Sequence, residues 1–328
     1  MSVEADNRWE KNTWPEIKRL AEEVPAAGIH FQSRSLKVAR HHCSSLTDRI
    51  ECQVLRRKKD SVADEAVGPL YDDSLFNPNP WYGRMFDDYR KLNDNELADD
   101  ILAGCEFTSV CINTAVYLPW LVGQCVELGT VFRRAVLKHI TEAASMSHTG
   151  SKADIVVNAS GLLACRLGGV MDPAVFPIRG QIVLVRNKAP VMLTTSSTDD
   201  GEDELLYTMT RAVGGGTILG GTYTKGNWDP IPDPNIAVRI MKRAVEAQPE
   251  LTEGKGIEGL SVIRHGVGLR PGRTGGVRIA TEVIDGTPVV HNYGHAGWGY
   301  QGSYGCAEGV LELVDEIIAE KGFDNLKV

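Results

Sequence analysis

Arg270 stands in GLRPG, with proline directly after it. A residue before proline is held extended, which stiffens the base from which the guanidinium projects. Arginine is also the side chain best suited to gripping a carboxylate through two parallel hydrogen bonds. Two tyrosines accompany it: Tyr223 closes GGTY, and Tyr207 lies in the preceding ELLYTMTR. If these segments form a hairpin, both hydroxyls reach one end of a pocket. Taken alone, the arginine equally suits a solvated Gly/Pro turn, and each tyrosine suits half-buried sheet packing. A third feature is the run of Gly294, Gly297, Gly299, Gly302, Gly305 and Gly309 ahead of CAEGVLELVDEIIAE. Glycine costs ~0.5–1 kcal/mol per helical position relative to alanine, so this density marks backbone that approaches something closely. A helix N-terminus just after it favours negative or electron-rich atoms. A glycine-rich loop packed on its own sheet is the other reading.

Composition narrows the classes. The 328 residues allow one large or two ordinary domains. With 42% hydrophobic and 24% charged residues, the chain reads as an ordinary globular protein. A formal charge of −8 argues against a general nucleic-acid or anionic-membrane binder. No apolar run reaches the ~18 residues of a membrane span, and the nearest, Ala115 to Val126, is broken by Pro119. The seven cysteines contain no CxxC and read as reduced thiols of an intracellular protein. His139, His148, His265, His291 and His295 lack metal-ligand spacing, so no metal is expected. The polar start, MSVEADNRWEKNTW, is not a signal peptide, and NLKV at the end is not the Ser-Lys-Leu address. A cytoplasmic location is therefore open.

The elements that would position these residues are α/β in pattern. A short helix is expected over 15–24, with Pro15 in its first turn. FTSVCIN reads as a strand entering the helical TAVYLPWLVGQCVELG, and TVFRRAVL (130–137) as another strand. ADIVVNASG (153–161) has the apolar core of a buried parallel strand. GQIVLVRN, ELLYTMTR and GTILGGTY read as strands, the last two joined at Gly214–Gly216 as a hairpin. PNIAVRIMKRAVEAQ (234–248) is the clearest helix, and VRIATEVIDGTPVVHNYG a hairpin with Asp285-Gly286 at its tip. Residues 33–53 fit no period, and their His41, His42, Cys43 and Cys52 have no metal-site spacing.

VVHNYGHAGWGYQGSYGCAEG resembles the C-terminal signature of the D-amino acid oxidases and D-aspartate oxidases, which are FAD enzymes. The likeness rests on His291, Tyr293, Gly294, Gly297, Gly299, Gly305 and Ala307 at fixed spacing. FTSVCINTAVYLPWL, ADIVVNASGL, PIRGQIVLV, GGTYTKGNWD and RHGVGLRPGR resemble further family blocks, in the family's order. The resemblance spans about residues 9–32 and 54–320 and is closest to fungal members. It implies an FAD-binding Rossmann-like domain, N-terminally incomplete, with an interleaved and mainly antiparallel substrate domain. Residues 54–106 and 171–256 would belong to the substrate domain, and 107–170 and 257–328 to the FAD domain. Residues 1–53 would be a remnant of the N-terminal FAD region, with 33–53 an atypical insertion.

By the same resemblance, Arg270 binds the substrate carboxylate beside the flavin, Tyr223 adds its hydroxyl, and Tyr207 lines or covers the pocket. Gly297, Gly299, Tyr300 and Gln301 run along the isoalloxazine, with Gln301 also beside the substrate amine. Val136 would touch the adenine through its backbone, and Ser160 lies in a turn lining the FAD. No residue acts as general acid or base, because the reaction is hydride transfer from Cα to flavin N5. The implied partners are a small D-amino acid and O₂, which yield a 2-oxo acid, ammonia and H₂O₂. A homodimer and a peroxisomal location would be in keeping with the family. Arg211 and His295 could supply a second cationic contact, which keeps D-aspartate oxidase as an alternative.

The family opens with a strand, a GxGxxG turn and a helix that bind the FAD pyrophosphate. No such opening segment stands here, and Gly266 to Gly272 has the wrong final spacing. The expected consequence is the loss of charge-assisted hydrogen bonds worth ~1.5–3 kcal/mol each, weakening FAD binding by ~10³-fold or more, with exposed strand edges as well. A catalytically silent remnant is therefore the competing expectation.

Overall fold

In a computed structural model of the chain, the described residues are 3–31, 51–62, 65–66, 80–196, 200–201 and 203–321. Most of the atypical segment, 33–50, lies outside them, while 51–53 open a strand.

Helix α1 (Val3–Glu23) begins well before the expected 15–24 and carries Pro15 in its interior. Proline leaves a carbonyl without its helical donor, but packing outweighs that loss. Trp9, Ile17 and Leu20 are buried along the helix, and Thr13 Oγ1 donates to Trp9 O at 2.7 Å. Strands β1 (Ile29–Phe31), β2 (Glu51–Arg57), β3 (Ser61–Val62), β4 (Glu65–Ala66), β5 (Arg90–Lys91), β6 (Ile101–Thr108) and β7 (Val110–Ile112) lead into α2 (Thr114–Glu127). Then come β8 (Val156–Asn158), β9 (Val175–Val185), β10 (Met192–Thr195), β11 (Glu204–Thr210), β12 (Thr217–Thr222) and β13 (Thr224–Lys225). Helix α3 (Pro234–Ala247), β14 (Val262–Arg273), β15 (Arg278–Ile284), β16 (Thr287–Tyr293) and α4 (Ser303–Lys321) complete the order.

Two sheets carry the architecture. The nine-stranded sheet runs β13-β9-β12-β11-β10-β2-β6-β5, with β14 also paired to β9. Its β9, β11, β12 and β14 pairings are antiparallel. The three-stranded sheet, β15-β16-β8, combines an antiparallel hairpin with the expected parallel strand at β8. Asp285 and Gly286 at the hairpin tip have φ of 48° and 75°, the two left-handed positions a tight type I′ turn requires.

Helix α3 covers one face of the large sheet. Its Ala237, Ile240, Ala244 and Val245 pack on Val183, Val185, Leu193, Leu206 and Leu219. Asp233 caps the helix by accepting from the amides of Asn235 and Ile236, and Gln181 of β9 donates to Asp233 O at 2.6 Å. With that face filled by aliphatic side chains, alternation along β9 turns Ile178, Gly180 and Ile182 to the opposite face.

Two expectations fail here. Residues 130–137 are not a strand: no described strand pairs with them, and Val131, Phe132 and Val136 are exposed. An apolar run becomes a strand only where a ladder partner takes up its amides, and none of the described elements does so. The glycine run also does not serve one purpose. A Cβ on Gly305 would fall 2.2 Å from Trp9 O, and one on Gly309 would fall 2.7 Å from the Trp9 ring. These glycines let α4 and α1 touch backbone to backbone, fixed by a Gly305 N–H to Thr13 Oγ1 hydrogen bond of 2.9 Å.

Candidate active site

The open face of the large sheet brings four of the expected residues together. Arg270 pairs with Ile178 across β14 and β9. Its guanidinium crosses β9 and donates from Nη1 to Thr222 O at 3.2 Å. It lies 5.5 Å from the centroid of the Tyr223 ring. Tyr207 stands opposite Gly220 in the β11–β12 hairpin, with its phenol beside the same guanidinium. Burial pushes the Tyr207 phenol up, while Arg270 pulls it the other way. Tyr223 is buried with Ile178 and Leu205, and Phe176, Tyr207 and Ala296 pack around them.

The glycine run meets this cluster at Gly297. A Cβ placed there would have ordinary contacts with Tyr223 Cε2 at 3.7 Å and Arg270 Cδ at 3.8 Å. The exposed Gly297 backbone therefore lies beside the arginine and the tyrosine, and the neighbouring His295 and Trp298 rings meet edge to face. Burial pushes the His295 imidazole below its ordinary value, so it is not a fixed cation at neutral pH. Arg211, the other candidate for a second positive contact, is elsewhere. It donates to Gly215 O in its own turn and sits beside Arg264, at the far end of β14 from Arg270.

Ser160 belongs to a second cluster. Asn158, at the end of β8, accepts the Ser160 amide on Oδ1 at 3.1 Å. Its amide nitrogen therefore faces His291 Nδ1, 3.1 Å away, and donates to it. The other ring nitrogen, Nε2, carries the proton and donates to Glu282 at 3.1 Å. His291 is wholly buried. Burial first, then the charge of Arg278, pushes its pKa below the ordinary value, against the pull of Glu282. This chain fixes the turn after β8 and leaves Ser160 Oγ buried without a hydrogen-bond partner among the described residues.

The remaining expected residues are spread out. Tyr300 is partly exposed and meets Tyr117 edge-on, with centroids 6.4 Å apart. Gly299 and Gln301 lie in the turn between β16 and α4, Gln301 exposed. Val136 is 91% exposed and touches none of the others. Several residues were missed from the sequence. Asn158 carries no signal of its own. Gly180 is hidden within an unremarkable strand.

Comparisons with known proteins give the family. Residues 5–313 match the family described as FAD dependent oxidoreductase. A D-amino-acid oxidase of Fusarium vanettenii is 52% identical over 318 residues, covering 97% of this chain and 82% of that protein. One from Schizosaccharomyces pombe is 33% identical over 311 residues, covering 94% and 78%. Among solved structures, glycine oxidase from Geobacillus kaustophilus aligns with a TM-score of 0.64 at 18% identity, covering 94% of this chain and 77% of that one. The chain belongs to the FAD dependent oxidoreductase family, in the branch that contains the D-amino-acid oxidases. Its cofactor is accordingly FAD, and its fold that of the FAD dependent oxidoreductases. No helix among the described residues is long and apolar enough to cross a membrane.

The residues present fit such a cofactor. The unpartnered Ser160 Oγ asks for a polar ligand. A Cβ on Gly161, just after it, would meet nothing within 4 Å. Gly297 sets exposed backbone beside Arg270 and Tyr223.

Proposed function

We propose that the protein oxidises small neutral D-amino acids, with Arg270 holding the substrate carboxylate. The observation carrying this reading is the convergence of Arg270, Tyr223 and Tyr207 beside the exposed Gly297 backbone, where the substrate gap would lie. Arg270 reaches the gap with its position fixed by Thr222 O, so its remaining donors are pre-aimed at a carboxylate, and the Tyr223 hydroxyl adds a third. Gln301 and a backbone carbonyl of the 297–301 turn would take the amine. Ser160, the Gly297–Gly299 backbone, Tyr300 and Val136 would hold the FAD. When bound, the cofactor supplies the electron acceptor, taking hydride from the substrate Cα at N5 and passing the electrons to O₂ as H₂O₂.

Handedness follows from three fixed directions. Carboxylate, amine and the Cα hydrogen each have an assigned place, so the side chain has one remaining. An L-substrate held by the same groups would aim its side chain at the flavin. No general base is needed, since the protein supplies orientation. The nine-stranded sheet would be the substrate unit, and the β15-β16-β8 sheet with α1 and α4 the cofactor unit. Arg211, tied to its own turn, does not supply the second cation that an acidic side chain would need.

Replacing Arg270 by Leu tests the reading. Losing one partner of a buried charge pair costs about 2–5 kcal/mol, so KM for D-alanine should rise by roughly a hundredfold or more with FAD retained. An unchanged KM would overturn it.

A further inference from the structure

We propose that Gly180 is a positioning residue for Arg270: its missing side chain is the channel through which the guanidinium crosses β9. This rests on the reading of Arg270 given above. On the open face of β9 the side chains of Ile178 and Ile182 stand on either side of Gly180. Arg270 starts opposite Ile178 on β14, and the oxygen it reaches belongs to Thr222 on β12, on the other side of β9. The side chain must therefore pass over β9, and the one break in the row of side chains is at 180.

The contacts bear this out. A Cβ on Gly180 would lie 2.2 Å from Arg270 Nη1 and 2.5 Å from both Cζ and Nη2, and these are the three nearest atoms. No real Cβ tolerates such distances, so the guanidinium would have to leave. Gly180 also sits inside a regular strand, paired with Gly268, and is not among the glycines with positive φ. Backbone conformation does not demand glycine here. What demands it is the functional end of one flexible side chain, so the fold can absorb an alanine that the binding site cannot.

The neighbouring strand repeats the device. A Cβ on Gly220 would fall 1.9 Å from Tyr207 Cζ, so the Tyr207 ring also rests on a position without a side chain. Arg270 and Tyr207 thus each rest on a glycine, sunk close to the sheet.

The test is Gly180→Ala in the FAD-loaded protein, alone and combined with Arg270→Leu. The melting temperature and FAD content of Gly180→Ala should match the parent. Its KM for D-alanine, and its Kd for pyruvate as a non-reacting carboxylate, should both rise by about ten- to a hundredfold. Its kcat should change far less, because a ground-state grip is what moves. Leucine ends at Cδ and has no atoms where a Cβ at 180 would meet the guanidinium. Adding Gly180→Ala to Arg270→Leu should therefore cost less than about twofold more, a strong coupling in the double-mutant cycle. Unchanged KM and Kd, additive effects, or a Gly180→Ala protein that fails to fold would each overturn the proposal. If Arg270→Leu alone leaves KM and Kd unaltered, it is the carboxylate reading itself that fails.

Discussion

Arg270, Tyr223 and Tyr207 are held by different means, and their substitutions should differ accordingly. The Tyr223 ring is buried, and its hydroxyl is proposed to donate to substrate. Tyr223→Phe removes one hydrogen bond to a charged group, about 1.5 kcal/mol. KM should rise roughly tenfold while the melting temperature stays level. His291 makes the opposite kind of prediction, one of stability. Its pKa is pushed below the ordinary value of 6.5 by burial and by Arg278, so on acidification the unfolded chain takes the proton before the folded one. Stability should therefore be full above about pH 6.5 and fall as pH drops through and below it. In His291→Gln that part of the slope should vanish from melting curves recorded across the same range. A slope identical to the parent's would show that the buried imidazole is not its source.

At the scale of elements, the glycine run divides into two parts with separate duties. Gly305 lies against the backbone of Trp9, which cannot move aside without shifting α1. Gly305→Ala should thus cost about 1–3 kcal/mol of stability, as overpacking does, read as a lower melting temperature even without substrate. Gly297 has room for a methyl group in ordinary contact with Tyr223 and Arg270. Gly297→Ala should melt like the parent yet bind D-alanine more weakly, since the methyl occupies the proposed substrate gap. The spacing of these glycines is visible in the sequence, but their partners are not. Trp9 is nearly three hundred residues away, and nothing local tells a glycine facing a helix from one facing a ligand. The helices, the two hairpins and the parallel β8 were legible from periodicity and turn residues. The extent of α1 was not, because a proline read locally as a helix start is overruled by burial of Trp9, Ile17 and Leu20.

In the whole molecule, the longest exposed run among the described residues is 126–136, with Val136 at its end. Arg133 and Arg134 are exposed there, and no described strand holds the chain. Trypsin should cut readily at this pair. If Val136 touches the adenine as proposed, added FAD should slow that cut selectively, and equal rates with and without FAD would remove Val136 from the cofactor site. The same stretch shows where reading from sequence stops: TVFRRAVL has the composition of a strand, yet pairing depends on a partner that composition cannot supply. The candidate site was more legible, because Arg270, Tyr223 and Tyr207 sit in distinctive Gly/Pro and hairpin contexts. Gly180, on which Arg270 depends, was silent.

The most direct test of the account is the visible spectrum of the purified chain after loading with FAD and desalting. The account predicts retained flavin bands that bleach under anaerobic conditions with D-alanine and not with L-alanine. Colourless protein after desalting, or bleaching indifferent to handedness, would contradict it.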